Sequence, residues 1–256
     1  MTAEAIAAAD ASRWIAVLPV AATEQHGPHL PASTDADIGR AMVAACIDLL
    51  PASGLAATFL PVEEIGWSAE HGDTAGTVSA DPVKLADKWL SIAASLKAKG
   101  LRKLVIVSSH GGNTPVADTV IMRARAELGL LCVATAWSRF GYPPGLFSDD
   151  EVRFGIHGGD IETSIMLAHC PAQVDMKKAK DFGSLQQELA RGMTHLRAYG
   201  PHRFGWMMHD LNSAGVTGNA AAATAEKGRA TIAHQTAGFI ELLKDVDRFE
   251  PGWFAC

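Results

Sequence analysis

The sequence predicts an α/β fold, a three-layer α/β/α sandwich with a mainly parallel central sheet, built as a single domain over residues 1–256. Two observations carry this. Four short, nearly continuous apolar runs lie along the chain: "WIAVLPVAA" at 14–22, "AATFLPV" at 56–62, "KLVIVSS" at 103–109 and "LLCVATAW" at 130–137. Such runs suit parallel strands covered on both faces. Between them lie segments of helical periodicity, and strands alternating with helices imply crossover units packed on both sides of one sheet.

The helices follow in order. "ADIGRAMVAACIDLL" at 36–50 comes first. The segment 82–99 has Asp81 as cap, Pro82 in the first turn, Gly100 as stop, and Leu85, Trp89, Ile92 and Leu96 on one stripe. "PVADTVIMRARAEL" at 115–128 behaves similarly, and "DIETSIMLAHC" at 160–170 and the long stretch 219–246, including the alanine run 220–223, read as helices. Segments 137–156 and 196–219 read as long loops rich in Gly, Pro and His, the kind that carries function.

Composition narrows the chemistry. A chain of 256 residues that is 48% hydrophobic fills a sizeable core, and a net charge of −6 excludes the basic footprint of a nucleic-acid or polybasic membrane partner. No apolar stretch reaches the roughly 20 residues of a membrane span. The start, "MTAEAIAAADASRW", lacks a basic region followed by an apolar core. The expected setting is cytoplasmic and the expected partner a small molecule. Cys46, Cys132, Cys170 and Cys256 are scattered, without the spacing of a zinc knuckle or redox pair, and read as small hydrophobic residues.

Ligands of an open parallel sheet gather beyond the carboxyl ends of its strands. Glu24 and His26 follow the first strand run and His110, in "VSSHGGN", follows the third. An extended 24–26 turns both side chains to one side. Asp35 can join them if the Pro28 and Pro31 segment folds back; alone, it reads as a helix cap more readily than as a ligand. These oxygen and nitrogen donors suit Zn, Mn or Fe. "GIHGGDIETS" adds His157, Asp160 and Glu162 at a helix start, where acidic residues are also favoured by the helix dipole.

The segments "TEQHGPHLP...TD", "SHGGN", "HGGDIETS" and "ATAEKG", with weaker agreement at "SAEHGDTAGTVS", resemble in that order the signatures of the creatininase (creatinine amidohydrolase) family over most of the chain. The resemblance implies the three-layer fold, a divalent metal centre, often of two ions (Zn, Mn or Fe), hydrolysis of carbon–nitrogen bonds in small or cyclic amides, and a homo-oligomer, often a hexamer. By the same resemblance Glu24, His26, Asp35 and His110 are metal ligands with Asp35 bridging. Glu162 falls on the acidic position near the second ion, and His157 on the histidine of proton transfer. Where creatininase carries a glutamate ligand two residues after the histidine matching His110, this chain has Gly112. "HGGN" is the form of other branches, among them formamide deformylases and the peptidase of mycofactocin maturation, so creatinine is not the expected substrate. Asp160 stands where the family commonly has glutamate.

The mechanism so implied is attack on a carbonyl by water whose pKa two ions lower toward about 7. His157 acts as general acid, Glu162 as ligand or proton relay, and the Gly111 and Gly112 amides aid the oxyanion. Ser68, His71 and Trp137 are the expected substrate-side residues. Two other readings remain at this point: hydrolysis of a lactone or cyclic ketone by the same centre, and a metal-binding protein with a decayed site.

Overall fold

The computed structural model describes residues 10–72 and 74–250; Cys256 and the N-terminal stretch 1–9 lie outside them. Four strands form one sheet: β1 (Ile15–Val20), β2 (Ala57–Phe59), β3 (Lys103–Ser108) and β4 (Leu131–Ala136), in the order β2-β1-β3-β4. Every pairing in it is parallel, with Ile15 beside Ala57 and Lys103, and Val20 beside Ser108. Each strand is shorter than its apolar run. Beyond Val20 the chain must leave the ladder to build a loop, and Trp137 already belongs to a 3-10 turn over Trp137–Phe140.

The side chains of the central strands alternate between two cores, as the two-residue period of a strand requires. Ile15, Val17, Val105 and Val107 enter one, against helices α1 (Thr34–Ser53), α5 (Asp160–His169) and α8 (Ala225–Arg248). Ala16, Leu18, Leu104 and Ile106 enter the other, against α2 (Pro82–Ala98) and α3 (Thr114–Leu128). This is the expected three-layer sandwich. On α2, Leu85 and Trp89 are buried and Ile92 and Leu96 pack beside them, while the Asp81 carboxylate accepts from the Val83 and Lys84 amides as its cap. Among the described residues no helix is long and apolar enough to cross a membrane.

The C-terminal half departs from the sequence reading. The two expected loops carry short helices, α4 (Asp149–Phe154) and α7 (Met208–Leu211). Between them lies α6 (Leu185–Gly192), entered through a reciprocal Ser184 and Gln187 cap. A two-residue antiparallel pair joins β5 (Asp181–Phe182) to β6 (Gly218–Asn219). The alanine run 220–223 is not the start of α8. Ala220–Ala222 form a 3-10 turn, and α8 begins after Thr224, whose hydroxyl accepts from the Lys227 amide. Cys46 lies in the core, where burial pushes its thiol up to about 12, and burial does the same to Cys132.

Helices α5 and α8 approach closely at Gly228. A Cβ at Gly228 would fall 1.9 Å from the Ser164 carbonyl oxygen, so only glycine lets the axes approach. Beside this crossing Lys227 Nζ meets Asp160 Oδ2 at 2.5 Å, and Ser164 Oγ donates to Asp160 Oδ1 at 2.9 Å. We expect Gly228→Ala to lower stability by about 1–3 kcal/mol through overpacking. Urea unfolding followed by circular dichroism checks this, and an unchanged midpoint would contradict the contact.

Candidate metal centre and active site

Three segments deliver the site, two of them directly beyond strands. After β1 the chain runs through Glu24 and His26, turns back so that the Glu24 amide donates to the Ala32 carbonyl at 3.1 Å, and enters α1 with Asp35 in its first turn. The prolines of this segment thus sit within a folded-back loop. Asp35 is not the cap residue, which is Ser33, and its side chain is buried. After β3, His110 opens a 3-10 turn over Gly111–Asn113. The third segment is the 155–162 loop, where Gly158 has φ +66°, a left-handed conformation that favours glycine. Its amide donates to Glu162 Oε2 at 2.7 Å.

These segments bring together Glu24, His26, Asp35, His110, His157 and Glu162. His110 Nδ1 lies 3.2 Å from Glu24 Oε1 and 3.4 Å from Asp35 Oδ2. His26 Nε2 lies 3.4 Å from Asp35 Oδ1 and 3.8 Å from Glu162 Oε2. His157 Nδ1 is 3.5 Å from Glu24 Oε1, and its ring centroid is 4.1 Å from that of His26.

The opposite nitrogen of each of these rings faces a backbone carbonyl: His26 Nδ1 that of Glu24 at 2.9 Å, His110 Nε2 that of Trp67 at 2.9 Å, and His157 Nε2 that of Gln25 at 2.7 Å. A carbonyl only accepts, so the ring N–H belongs there, and in the neutral ring the lone pair is left facing the carboxylates. Both Glu24 carboxylate oxygens, Asp35 Oδ2 and His26 Nε2 are buried without a hydrogen-bond partner. Such a set suits a cation: each group becomes satisfied when positive charge stands between lone pairs and carboxylates. One ligand atom each from His26, Asp35 and Glu162 lies within 4.8 Å of the others, and the same holds for Glu24, Glu70 and His110 and for Glu24, His26 and His157.

The electrostatics follow this arrangement. Burial opposes charge on His26, but Asp35, Glu162 and Glu24 outweigh it and hold its pKa up to about 9. His110 is raised well above its ordinary value by Glu24 and Asp35, again against burial. Burial opposes ionisation of Glu24, yet His110, His71 and His157 hold it well below the usual carboxylate range. Burial raises Glu162 to about 7 against His26, with Asp35 and Glu24 adding to the rise. His157 goes the other way: burial and then His26 push it down to about 3. A neutral ring with its N–H on the Gln25 carbonyl offers Nδ1 as a proton acceptor first and as a donor only after it has taken up a proton.

Other expected residues divide. His71 is buried with Nε2 3.5 Å from Glu24 Oε1, inside the cluster as much as beside a substrate. Gly111 and Gly112 line a cavity of about 720 Å³ above the cluster. Ser68 does not: it is fully buried behind His110, its hydroxyl 3.5 Å from Nε2. Trp137 is 2% exposed and packs on Phe239 at 4.8 Å between ring centroids, a core residue that also edges a smaller cavity of about 300 Å³. His29 stands outside the cluster, its Nε2 3.1 Å from the Gly158 carbonyl and 3.0 Å from Thr163 Oγ1, and supports the loop. Asp37 binds Ser33 and Arg40 at the helix start.

Sequence reasoning named Glu70 only as part of the loop beyond the second strand, and did not single out Asn113 or Glu151. Asn113, fully buried, donates to the Ala21 carbonyl at 2.9 Å and accepts from the Trp67 amide at 3.1 Å, tying the end of β1 to two loops. Glu151 accepts from the amides of Asn219 at 2.8 Å and Ile161 at 3.3 Å and so anchors the loop bearing His157. Glu70 lines the cavity 3.5 Å from His110 Nε2. The "HGGN" and "EH" spellings contain two of these residues, but their partners are distant in sequence and no periodicity reveals them.

Comparison with known proteins identifies the family. Residues 1–243 match the family model Creatininase, described as creatinine amidohydrolase. The mycofactocin precursor peptide peptidase of Mycobacterium ulcerans is 30% identical over 246 residues, covering 94% of this chain and 88% of that protein. The creatinine amidohydrolase of Pseudomonas putida is 30% identical over 187 residues, 65% of this chain and 68% of its own. A manganese form of creatininase superposes with a TM-score of 0.73 at 23% identity, covering 97% of both chains, which establishes the common fold. The chain therefore belongs to the creatininase family of metal-dependent amidohydrolases.

Proposed function

We propose that this chain uses two divalent ions to hydrolyse an amide bond in a substrate with an apolar or aromatic body and an anionic group. The observation that carries the metal assignment is the convergence of one ring nitrogen each of His26, His110 and His157 on the buried Glu24 and Asp35 carboxylates, of which both Glu24 oxygens and Asp35 Oδ2 lack a hydrogen bond. Glu24, Asp35 and His110 would hold one ion, on the proximity of His110 to both carboxylates, and His26, Asp35 and Glu162 would hold the other. Zn and Mn suit this donor set of imidazole and carboxylate. When bound, the ions lower the pKa of water toward about 7 and polarise a carbonyl oxygen.

The chain's own residues do the rest. His157 Nδ1, neutral and aimed into the cluster, accepts a proton from the attacking water and returns it to the leaving nitrogen, which departs poorly unless protonated. Its Nε2–H stays on the Gln25 carbonyl, so one nitrogen alone carries the shuttle. Glu162 is fixed by the Gly158 amide and serves as ligand rather than as free acid.

The cavity supports the substrate class. It is lined by cluster residues and by a stretch of irregular chain that contributes Tyr199, Phe204, Trp206 and Met207, with Trp67 also in the lining. At about 720 Å³ it is on the scale of a drug-sized ligand site, far roomier than a five-membered cyclic amide requires. Arg203 is the single Lys or Arg side chain among its described lining residues; it is exposed, and among the described residues its guanidinium has no ion pair or hydrogen bond. An unpaired guanidinium in such a lining suits a carboxylate or phosphate remote from the scissile carbonyl.

Three outcomes are expected. Below their folded pKa values, His26 (about 9) and Glu162 (about 7) carry protons that a metal ion must displace, so metal affinity falls as pH drops from 9 through 7. Calorimetric titration with Mn or Zn in buffers of different ionisation heat should register proton release, and no release would count against these ligands. His157→Ala should keep its metal while turnover falls by about 10²–10⁴-fold, read by elemental analysis beside a steady-state assay. Unchanged turnover removes His157 from the reaction. Arg203→Ala should raise KM by about 10–100-fold for anionic amides and leave kcat and neutral amides nearly untouched.

A further inference from the structure

His110 turns its two ring nitrogens to different surroundings. Nδ1 faces Glu24 and Asp35. Nε2 faces away from them, with the Trp67 carbonyl at 2.9 Å, Ser68 Oγ at 3.5 Å and Glu70 Oε1 at 3.5 Å. The Glu70 side chain is 19% exposed, and its carboxylate forms its one ion pair among the described residues with this ring.

The space Glu70 uses is kept by Gly112. A Cβ at position 112 would fall 2.4 Å from His110 Nε2, 2.5 Å from the Trp67 carbonyl and 2.9 Å from Glu70 Oε1. The backbone of Gly112 is not in the left-handed region, so the glycine is there for the room it leaves. Side chain, ring and glycine fit as one unit.

We propose that Glu70 is the positioning residue of the metal ligand His110. Its carboxylate stands 3.5 Å behind the Nε2–H that the Trp67 carbonyl accepts, steadies the ring so that Nδ1 faces the site of Glu24 and Asp35, and increases the basicity of that nitrogen. A carbonyl can orient an imidazole, but a carboxylate also adds negative charge behind it, the arrangement found behind metal-bound histidines in general. This rests on the assignment of His110 as a ligand in the proposed function.

The test measures metal binding on its own. Wild type, Glu70→Gln, Glu70→Ala and Glu70→Asp are stripped, then titrated with Mn or Zn in competition with a chelating dye. Glu70→Gln and Glu70→Ala should weaken one of two sites by about 10–100-fold, Glu70→Asp should recover part of the loss, and the other site should keep its affinity. Gly112→Ala, whose methyl group enters the same gap, should reproduce the weakening. Thermal melting of the metal-free proteins verifies that each variant is folded. Equal affinity in wild type, Glu70→Gln and Glu70→Ala overturns the proposal, because the Trp67 carbonyl then suffices. Complete loss of one ion at saturating metal, matching His110→Ala, also overturns it by making Glu70 a direct ligand. A wild-type protein that binds no metal would defeat the metal assignment itself, an outcome distinct from both.

Discussion

Glu24 and Asp35 are withdrawn from water, 1% exposed, and no hydrogen bond reaches either Glu24 carboxylate oxygen or Asp35 Oδ2. Burying an unpaired carboxylate costs several kcal/mol, so positive charge must stand near them in any stable state. The surrounding rings supply little of it while neutral, since each spends its N–H on a backbone carbonyl. The opposed shifts of neighbouring rings follow from the same shortage. His26, beside two carboxylates, is held up to about 9, while burial first, and then the charge on His26 4.1 Å away, push His157 down to about 3. The field that favours a proton on His26 Nε2 is the field that favours a divalent ion.

Keeping such a cluster closed requires that its loops not relax into solvent, and buried polar anchors hold them. Ser109 Oγ donates to the Asp35 carbonyl at 2.7 Å, and Ser108 Oγ donates to the His110 carbonyl at 2.7 Å, so the end of β3 grips both the α1 entry and the histidine turn. Asn113 binds β1 to the same place. The "DIETS" segment distributes its tasks by side chain: Asp160 pairs with Lys227, Glu162 faces the cluster, Thr163 holds His29, and Ser164 joins Asp160 to the Thr224 amide. The loop before it is fixed by Glu151, against which a Cβ at Gly155 or Gly159 would lie within 2.4 Å. Removing one anchor would expose carboxylates that only the whole set keeps dry.

Much of this was legible in the chain because some signals are local. The runs at 14–22 and 103–109 are apolar on both faces, and each could only be a covered strand whose carboxyl end points at a site. Glu24, His26 and His110 follow from that placement, and Asp35 follows once Pro28 and Pro31 are allowed to fold back. What stayed illegible depends on tertiary partners. Trp137 and Ser68 read as substrate-side residues because they end a strand run or precede His71, yet Phe239 and His110, remote in sequence, take their side chains inward. The alanine run 220–223 has high helix propensity, but the Ser164 hydroxyl accepts the Thr224 amide and delays the helix to Ala225. The two-residue pair β5 and β6 is too short to leave any periodicity.

Chemistry and selectivity are carried by chain segments of different character. The cluster stands on residues within a few positions of β1, β3 and α5, elements whose own side chains fill the two cores. The cavity lining from Tyr199 to Asp210 is held by bonds from Trp206 Nε1 to the Ala198 carbonyl and Tyr199 Oη to the Arg153 carbonyl, each at 2.7 Å, and from the Met207 amide to the Asp210 carboxylate at 2.8 Å. Its small apolar cluster of Ala198, Met208 and Leu211 is separate from the cores under the sheet. Substitution in that lining can therefore reshape what the cavity admits without disturbing the geometry of Glu24, His26, Asp35 and His110. A family built this way can keep one hydrolytic centre while its substrates diverge, which is consistent with a peptidase and a creatinine amidohydrolase both standing at 30% identity to this chain.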